Sequence, residues 1–242
     1  RKVSQYEANA DIQKRMVMDL CRILPAAAPS TARPWIDLGC GTGFLGRTVM
    51  KSFPKAKVIG LDLSRSSLEV AQATGSGSAF VVGDMEALGF RARSASLVMT
   101  SSALQWARSP RVLLESIRSI LGELGWFAFA IFLRGTLREF HELRQRHGFG
   151  APVDFIEEDL FRDLLDGVGF HLISTEISSC KHPYPSAMDL VRTLVNTGTA
   201  AVGGRRMTSR ELTALCRDYD RSFPLDAGVY ATYRWMTGIA RT

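Results

Sequence analysis

Four cysteines and four histidines are all the thiol and imidazole metal ligands this 242-residue sequence offers, and neither set is spaced for a site. Cys21, Cys40, Cys180 and Cys216 are scattered without a Cys-x-x-Cys pair, and His141, His147, His171 and His182 lack ligand spacing. That argues against a zinc site or a disulfide frame and for reduced thiols in a cytoplasmic protein. No apolar run approaches the roughly 20 residues that span a bilayer, so no membrane partner is expected. No secretory leader is visible in the sequence, which starts at Arg1 rather than methionine. Internal repeats and low-complexity segments are missing. So is any Ser-His-Asp, Cys-His or paired-carboxylate constellation. The charge is lopsided, with 30 Lys and Arg against 24 Asp and Glu, a net +6. Yet the basic clusters, Arg91-x-Arg93 and Arg205-Arg206, are small, and no basic-aromatic ladder of the kind that binds single strands is present. Nucleic acid is therefore not expected, and the surplus reads equally as solubility or as attraction to an acidic partner.

What is present is one dense stretch, Trp35-Ile36-Asp37-Leu38-Gly39-Cys40-Gly41-Thr42-Gly43-Phe44-Leu45. An apolar run carries an acid, passes three glycines at alternate positions and opens into a helix-compatible run to Phe53. This reads as a buried strand, a tight turn and a helix start, with a ligand at the strand's carboxyl end. Glycines permit the sharp turn and bring a ligand close to backbone. The spacing Asp-x-Gly-x-Gly-x-Gly differs from the dinucleotide fingerprint and favours a ligand with an amino-acid end over a pyrophosphate. It disfavours a nicotinamide dehydrogenase. Two further apolar runs end in acids: Lys57 to Asp62, placed for two ribose hydroxyls, and Phe80 to Asp84, within reach of an adenine amino group. The alternative is that all three acids are strand-end solvation and helix caps. Together the turn and acids resemble the S-adenosylmethionine (AdoMet) site of Rossmann-like methyltransferases.

Around this unit, helical spacing predicts helices over Ala10 to Leu24, Leu45 to Phe53, Ser66 to Ala73 with Ser64 as cap, and Pro110 to Leu121. Strands are expected at Ala95 to Thr100 and Trp126 to Phe132. The alternation implies an α/β, doubly wound, mostly parallel sheet. Beyond Gly135, helices are expected at Thr136 to Arg146, Glu157 to Asp166, Ser186 to Asn196 and Ser209 to Tyr219. Strands are expected at His171 to Ser178 and Val229 to Ala240. The predicted organisation is a core with its N-terminal helix over 1–183, a helical lid over 184–225, and a final core strand in 226–242.

Several stretches outside the glycine loop carry a more specific resemblance. They are Tyr6-Glu7-Ala8-Asn9-Ala10-Asp11-Ile12-Gln13, Leu104-Gln105-Trp106, Gly135-Thr136-Leu137-Arg138-Glu139-Phe140-His141, Arg192-Thr193-Leu194 with Gly198, and Thr232-Tyr233. In order along the chain, these resemble the malonyl-acyl-carrier-protein O-methyltransferases of biotin biosynthesis. The resemblance implies methyl transfer from AdoMet to the free carboxylate of a malonyl thioester, on an acidic carrier protein or on CoA. It implies cofactor contacts at Asp37, Gly39, Cys40, Gly41, Gly43, Asp62, Leu63, Asp84, Met85 and Ser101. Tyr6, Gln105, Trp106 and Arg192 would form the reacting site, with no metal. Such chemistry needs no general base, because a carboxylate of pKa near 4 is already ionised at neutral pH. An AdoMet methyltransferase for another small acid or a polyketide-type substrate, and a non-catalytic AdoMet-binding protein, are the alternatives.

Overall fold

The computed structural model describes residues 10–24, 31–149, 154–198 and 207–242. Helix α1 (Asp11–Ile23) precedes β1 (Trp35–Leu38), α2 (Phe44–Ser52), β2 (Val58–Asp62), α3 (Arg65–Ala73) and β3 (Ala79–Val82). Then come β4 (Leu97–Ser101), a short 3₁₀ turn (Leu104–Trp106), α4 (Pro110–Leu121) and β5 (Trp126–Phe132). The rest holds α5 (Arg138–Arg146), α6 (Glu158–Val168), β6 (His171–Tyr184), α7 (Ala187–Asn196), α8 (Ser209–Ser222), β7 (Pro224–Leu225) and β8 (Gly228–Arg241).

The strands form one sheet in the order β3-β2-β1-β4-β5-β8-β6, with β7 beside β8. β1 pairs in parallel with β2, Trp35 against Val58, and with β4, Trp35 against Leu97. β2 with β3 and β4 with β5 are parallel too. β8 runs against β5, since Leu133 N–H donates to Arg234 and Thr242 N–H to Gly125. The chain builds outward from β1 through β3, then returns to lay β4 on its other side. That reversal between β1 and β4 is the topological switch point of a doubly wound sheet, where ligands bind. The expected α/β, mostly parallel architecture is the one found.

The chain divides into two compact units. One contains Gln13–Ile131, Glu157–Ile177 and Met236–Thr242. All four β1 residues are buried there, as a strand paired on both edges and covered on both faces requires. Pro110 starts α4, and Leu113, Leu114, Ile117, Ile120 and Leu121 form its buried stripe at helical spacing. Rings of Phe127, Phe129, Phe161 and Phe170 pack with centroids 5.1–5.3 Å apart. Gly238 has no room for a Cβ against Phe129. Arg111 donates to the Gly167 carbonyl, and the Arg118 guanidinium lies over Gly169, so two cations sit at the negative end of α6.

The other unit contains the described residues up to Ile12, Phe132–Ile156 and Ser178–Trp235. Here α8 packs against both α5 and α7. Thr208 and Glu211 form a reciprocal capping box at the start of α8. Buried Tyr219 donates to the Tyr230 carbonyl, and its ring lies 5.0 Å from Phe223. Glu139 is buried and accepts from both the amide and the hydroxyl of Thr232.

Candidate active site

The glycine loop owes each glycine to a different cause. Gly39, Gly41 and Gly43 all have positive φ, at +66°, +54° and +80°. A Cβ on Gly39 would lie 2.5 Å from the Ala103 methyl, and one on Gly43 would collide with Ser76 Oγ. Nothing lies within 4 Å of the Cβ position on Gly41. Gly39 and Gly43 are therefore filled in by protein, while Gly41 faces open space. Cys40 is buried between them, its N–H donating to the Leu61 carbonyl, and its thiol is pushed up by burial and by Asp37 and Asp62.

Two acids brace this loop. Asp62 at the tip of β2 accepts from the Gly41 N–H at 2.8 Å on one oxygen and from the Ser64 N–H at 2.8 Å on the other. Each oxygen keeps a lone pair for another donor. Asp37, 2% exposed, accepts from the Gly46 N–H at 3.2 Å. Burial pushes its carboxyl up to about 8; the Gly46 amide pulls the other way and the Asp62 charge adds to the rise. Such a site favours a ligand bearing positive charge.

The tip of β4 supplies two unmet polar atoms. Ser101 Oγ and Gln105 Oε1 are buried without a hydrogen-bond partner among the described residues. The Gln105 amide nitrogen donates to the Ser102 carbonyl at 2.8 Å, which fixes the orphaned oxygen as an acceptor facing away from that bond. Ser102 has φ +56°, donates to the Ala130 carbonyl, and sets its hydroxyl 3.2 Å from Met16 Sδ on α1. Trp106 is half-buried on the same short turn.

The remaining predicted residues scatter. Asp84 is exposed two residues past β3 and accepts from the Glu86 N–H; Met85 is half-buried. Leu63 is 70% exposed. Arg192 is exposed on α7 in the second unit and pairs with Asp189 at 2.9 Å. Tyr6 lies outside the described residues. Glu86 escaped notice in the sequence: it accepts from the amides of Arg108 and Ser109 at 2.7 and 2.9 Å and caps α4, whose Ser109 makes no side-chain cap. Nothing local distinguishes it from a surface acid, because its partner lies 22 residues away.

The methyltransferase domain family matches residues 36–129, which include the loop, all three acids and the β4 tip. A malonyl-[acyl-carrier protein] O-methyltransferase of a Paenibacillus species is 23% identical, with 96% of this chain and 91% of that protein covered. One from Halalkalibacterium halodurans is 26% identical over 94% and 90%. Among solved structures, a candidate methyltransferase from Bacillus halodurans superposes with a TM-score of 0.66 at 18% identity, covering 93% of this chain and 97% of the other.

Proposed function

We propose that this chain, an AdoMet-dependent methyltransferase of the class I fold, methylates the free carboxylate of a malonyl thioester carried on acyl-carrier protein or CoA, an early step of biotin synthesis. The observation that carries the reading is the reach of the similarity. Relatives bearing the malonyl-carrier name align with 94–96% of the chain, well beyond the matched domain over 36–129.

AdoMet fits the residues present. The acids Asp62 at the tip of β2 and Asp84 past β3 suit a ligand with a sulfonium and an ammonium. The open side of Gly41 leaves room for it, and the orphaned Ser101 and Gln105 oxygens want donors. Asp62 would take the ribose hydroxyls, the Gly39–Gly43 loop with Cys40 the methionine end, and Asp84, Met85 and Leu63 the adenine. Ser101 and Gln105 Oε1 would receive the ammonium, with Trp106 as a wall. Bound there, the cofactor supplies the methyl: an acceptor carboxylate oxygen forms the new C–O bond as the C–S electron pair passes to sulfur, leaving a methyl ester and a neutral thioether. The protein's part is to position and to dry the reactants, since no proton has to be removed. Tyr6 and Arg192 would complete the acceptor side; for Arg192 that requires leaving Asp189.

The test is labelled AdoMet offered with malonyl-carrier protein, malonyl-CoA and free malonate. A base-labile ester on either thioester is expected. Label going instead to an amine, phenol or thiol acceptor would sink the reading.

A further inference from the structure

We infer that Ser102 is a positioning residue for the cofactor: it holds the Gln105 amide so that Oε1 is presented as an acceptor, and thereby fixes where the ammonium of AdoMet binds. The inference rests on the reading above that the β4 tip meets the amino-acid end of AdoMet. Every residue it uses lies in the compact unit containing Gln13–Ile131. The turn carrying Gln105 abuts the glycine loop directly. Ala103 fills the space that a Cβ on Gly39 would need, and the Trp106 N–H closes the turn on the Ala103 carbonyl at 3.0 Å. Ser102 enters this turn at φ +56°, a left-handed conformation that a residue with a side chain keeps only where its surroundings impose it. Three bonds impose it. The Ser102 N–H donates to the Ala130 carbonyl of β5 at 2.9 Å, and its hydroxyl donates to Met16 Sδ of α1 at 3.2 Å. Its carbonyl accepts from Gln105 Nε2 at 2.8 Å. Ala130 and Met16 are fully buried, so the first two anchors belong to the core.

The third bond decides the chemistry of the amide. Turning the Gln105 amide over would set Oε1 against a carbonyl oxygen, two acceptors with no hydrogen between them. Nε2 is therefore held toward Ser102, and Oε1 is left buried with no partner among the described residues. An amide oxygen only accepts, and a buried acceptor is normally met by a donor. Ser101 Oγ, one residue before Ser102, is buried and unmet as well. Two oxygens beside the glycine loop, one of them unable to donate, suit a cationic donor, and the ammonium is the charged donor that AdoMet carries. Ser102 acts on that ligand through Gln105. Its hydroxyl is spent on Met16, so the side chain clamps the turn from the α1 side while the carbonyl orients the amide.

The test is calorimetry with three adenosyl thioethers. S-adenosylhomocysteine has the whole amino-acid end, its decarboxylated analogue keeps only the ammonium, and methylthioadenosine has neither charge. Ser102→Ala removes the hydroxyl bond, and Met16→Leu removes it from the other side at similar volume. Each should raise Kd about threefold or more for the two ligands with an ammonium and leave methylthioadenosine unchanged. Gln105→Ala should raise the same two values about tenfold or more. Adding Ser102→Ala to Gln105→Ala should then change nothing further, because the two act as one unit. A structural role alone would lower Tm and weaken all three ligands alike, with or without Gln105, and that result overturns the inference. So does a loss confined to S-adenosylhomocysteine, which would trace to the carboxylate. If Gln105→Ala weakens binding while Ser102→Ala and Met16→Leu bind like wild type, the inference falls and the cofactor reading stands. If Gln105→Ala itself binds all three like wild type, the placement of the ammonium falls and takes the inference with it.

Discussion

Asp37 holds a proton where a surface aspartate would not. Its carboxyl is raised to about 8 by burial. Below about pH 4 both folded and unfolded chains carry that proton. Between about 4 and 8 the unfolded chain releases it and the folded chain keeps it, so this group makes the fold less stable as pH rises. Asp37→Asn removes the titration and keeps the shape. Relative to wild type, the variant should gain up to about 1.4 kcal/mol per pH unit between pH 5 and 7, read from urea melts. A pH-independent difference would mean that Asp37 is ionised in the fold. Asp62 is half-buried and braced by two amides. Asp62→Ala should weaken AdoMet binding by roughly 1.5–3 kcal/mol, a ten- to hundredfold change in calorimetric Kd, through lost charge-assisted bonds. Unchanged affinity would remove it from the cofactor site. That an acid stands at each strand tip was legible from the sequence. That Asp37 points into the core and Asp62 toward the loop was not, because both end similar apolar runs and only long-range packing separates them. Arg192 shows the same limit: the pattern that marked it does not reveal its neighbour Asp189.

Glycines separate scaffold from ligand surface at the level of the strand, loop and helix. Gly43→Ala meets both a left-handed backbone and Ser76, so it should cost more than the ~1–2 kcal/mol of the backbone alone. Gly41→Ala pays only the backbone part, since its side opens to space. Its methyl group should nevertheless cost AdoMet about tenfold or more in affinity, as overpacking does at an occupied surface. Melting curves and calorimetry on both variants check the contrast; equal effects on binding would mean that Gly41 faces no ligand. The elements themselves were readable wherever a breaker met a strong pattern. Pro110 to Leu121 and Trp126 to Phe132 have the expected ends because Pro110, Gly122 and Gly125 punctuate them. β6 runs six residues beyond the expected Ser178, to Tyr184, since its outer half is polar and alternates with exposed side chains. The two-residue β7 and the 3₁₀ turn at Leu104 are too short to leave a period.

Net charge belongs to the molecule as a whole. With +6 overall and a proposed acidic carrier as partner, encounter should be steered electrostatically. Raising salt from ~50 to ~500 mM shortens the screening length severalfold and should raise KM for the carrier-bound acceptor with kcat little changed. A short malonyl thioester without its carrier should show no such rise, and equal salt dependence for both would count against steering. Arg138 is exposed although tied to Glu139, and is one candidate for the mouth; Arg205 and Arg206, the others, lie outside the described residues. Composition made the surplus legible, but it says nothing of where the charges gather. The four free thiols have a further use. Cys40 and Cys216 are both buried, one in each compact unit, and burial raises both, Cys216 to about 11. Neither should react with an alkylating reagent until its surroundings open, so each modification rate is a clock for local opening. S-adenosylhomocysteine should slow the Cys40 clock. The fraction by which Cys216 slows alongside it then measures, in one mass spectrum, how far the cofactor loop and the helical unit breathe together.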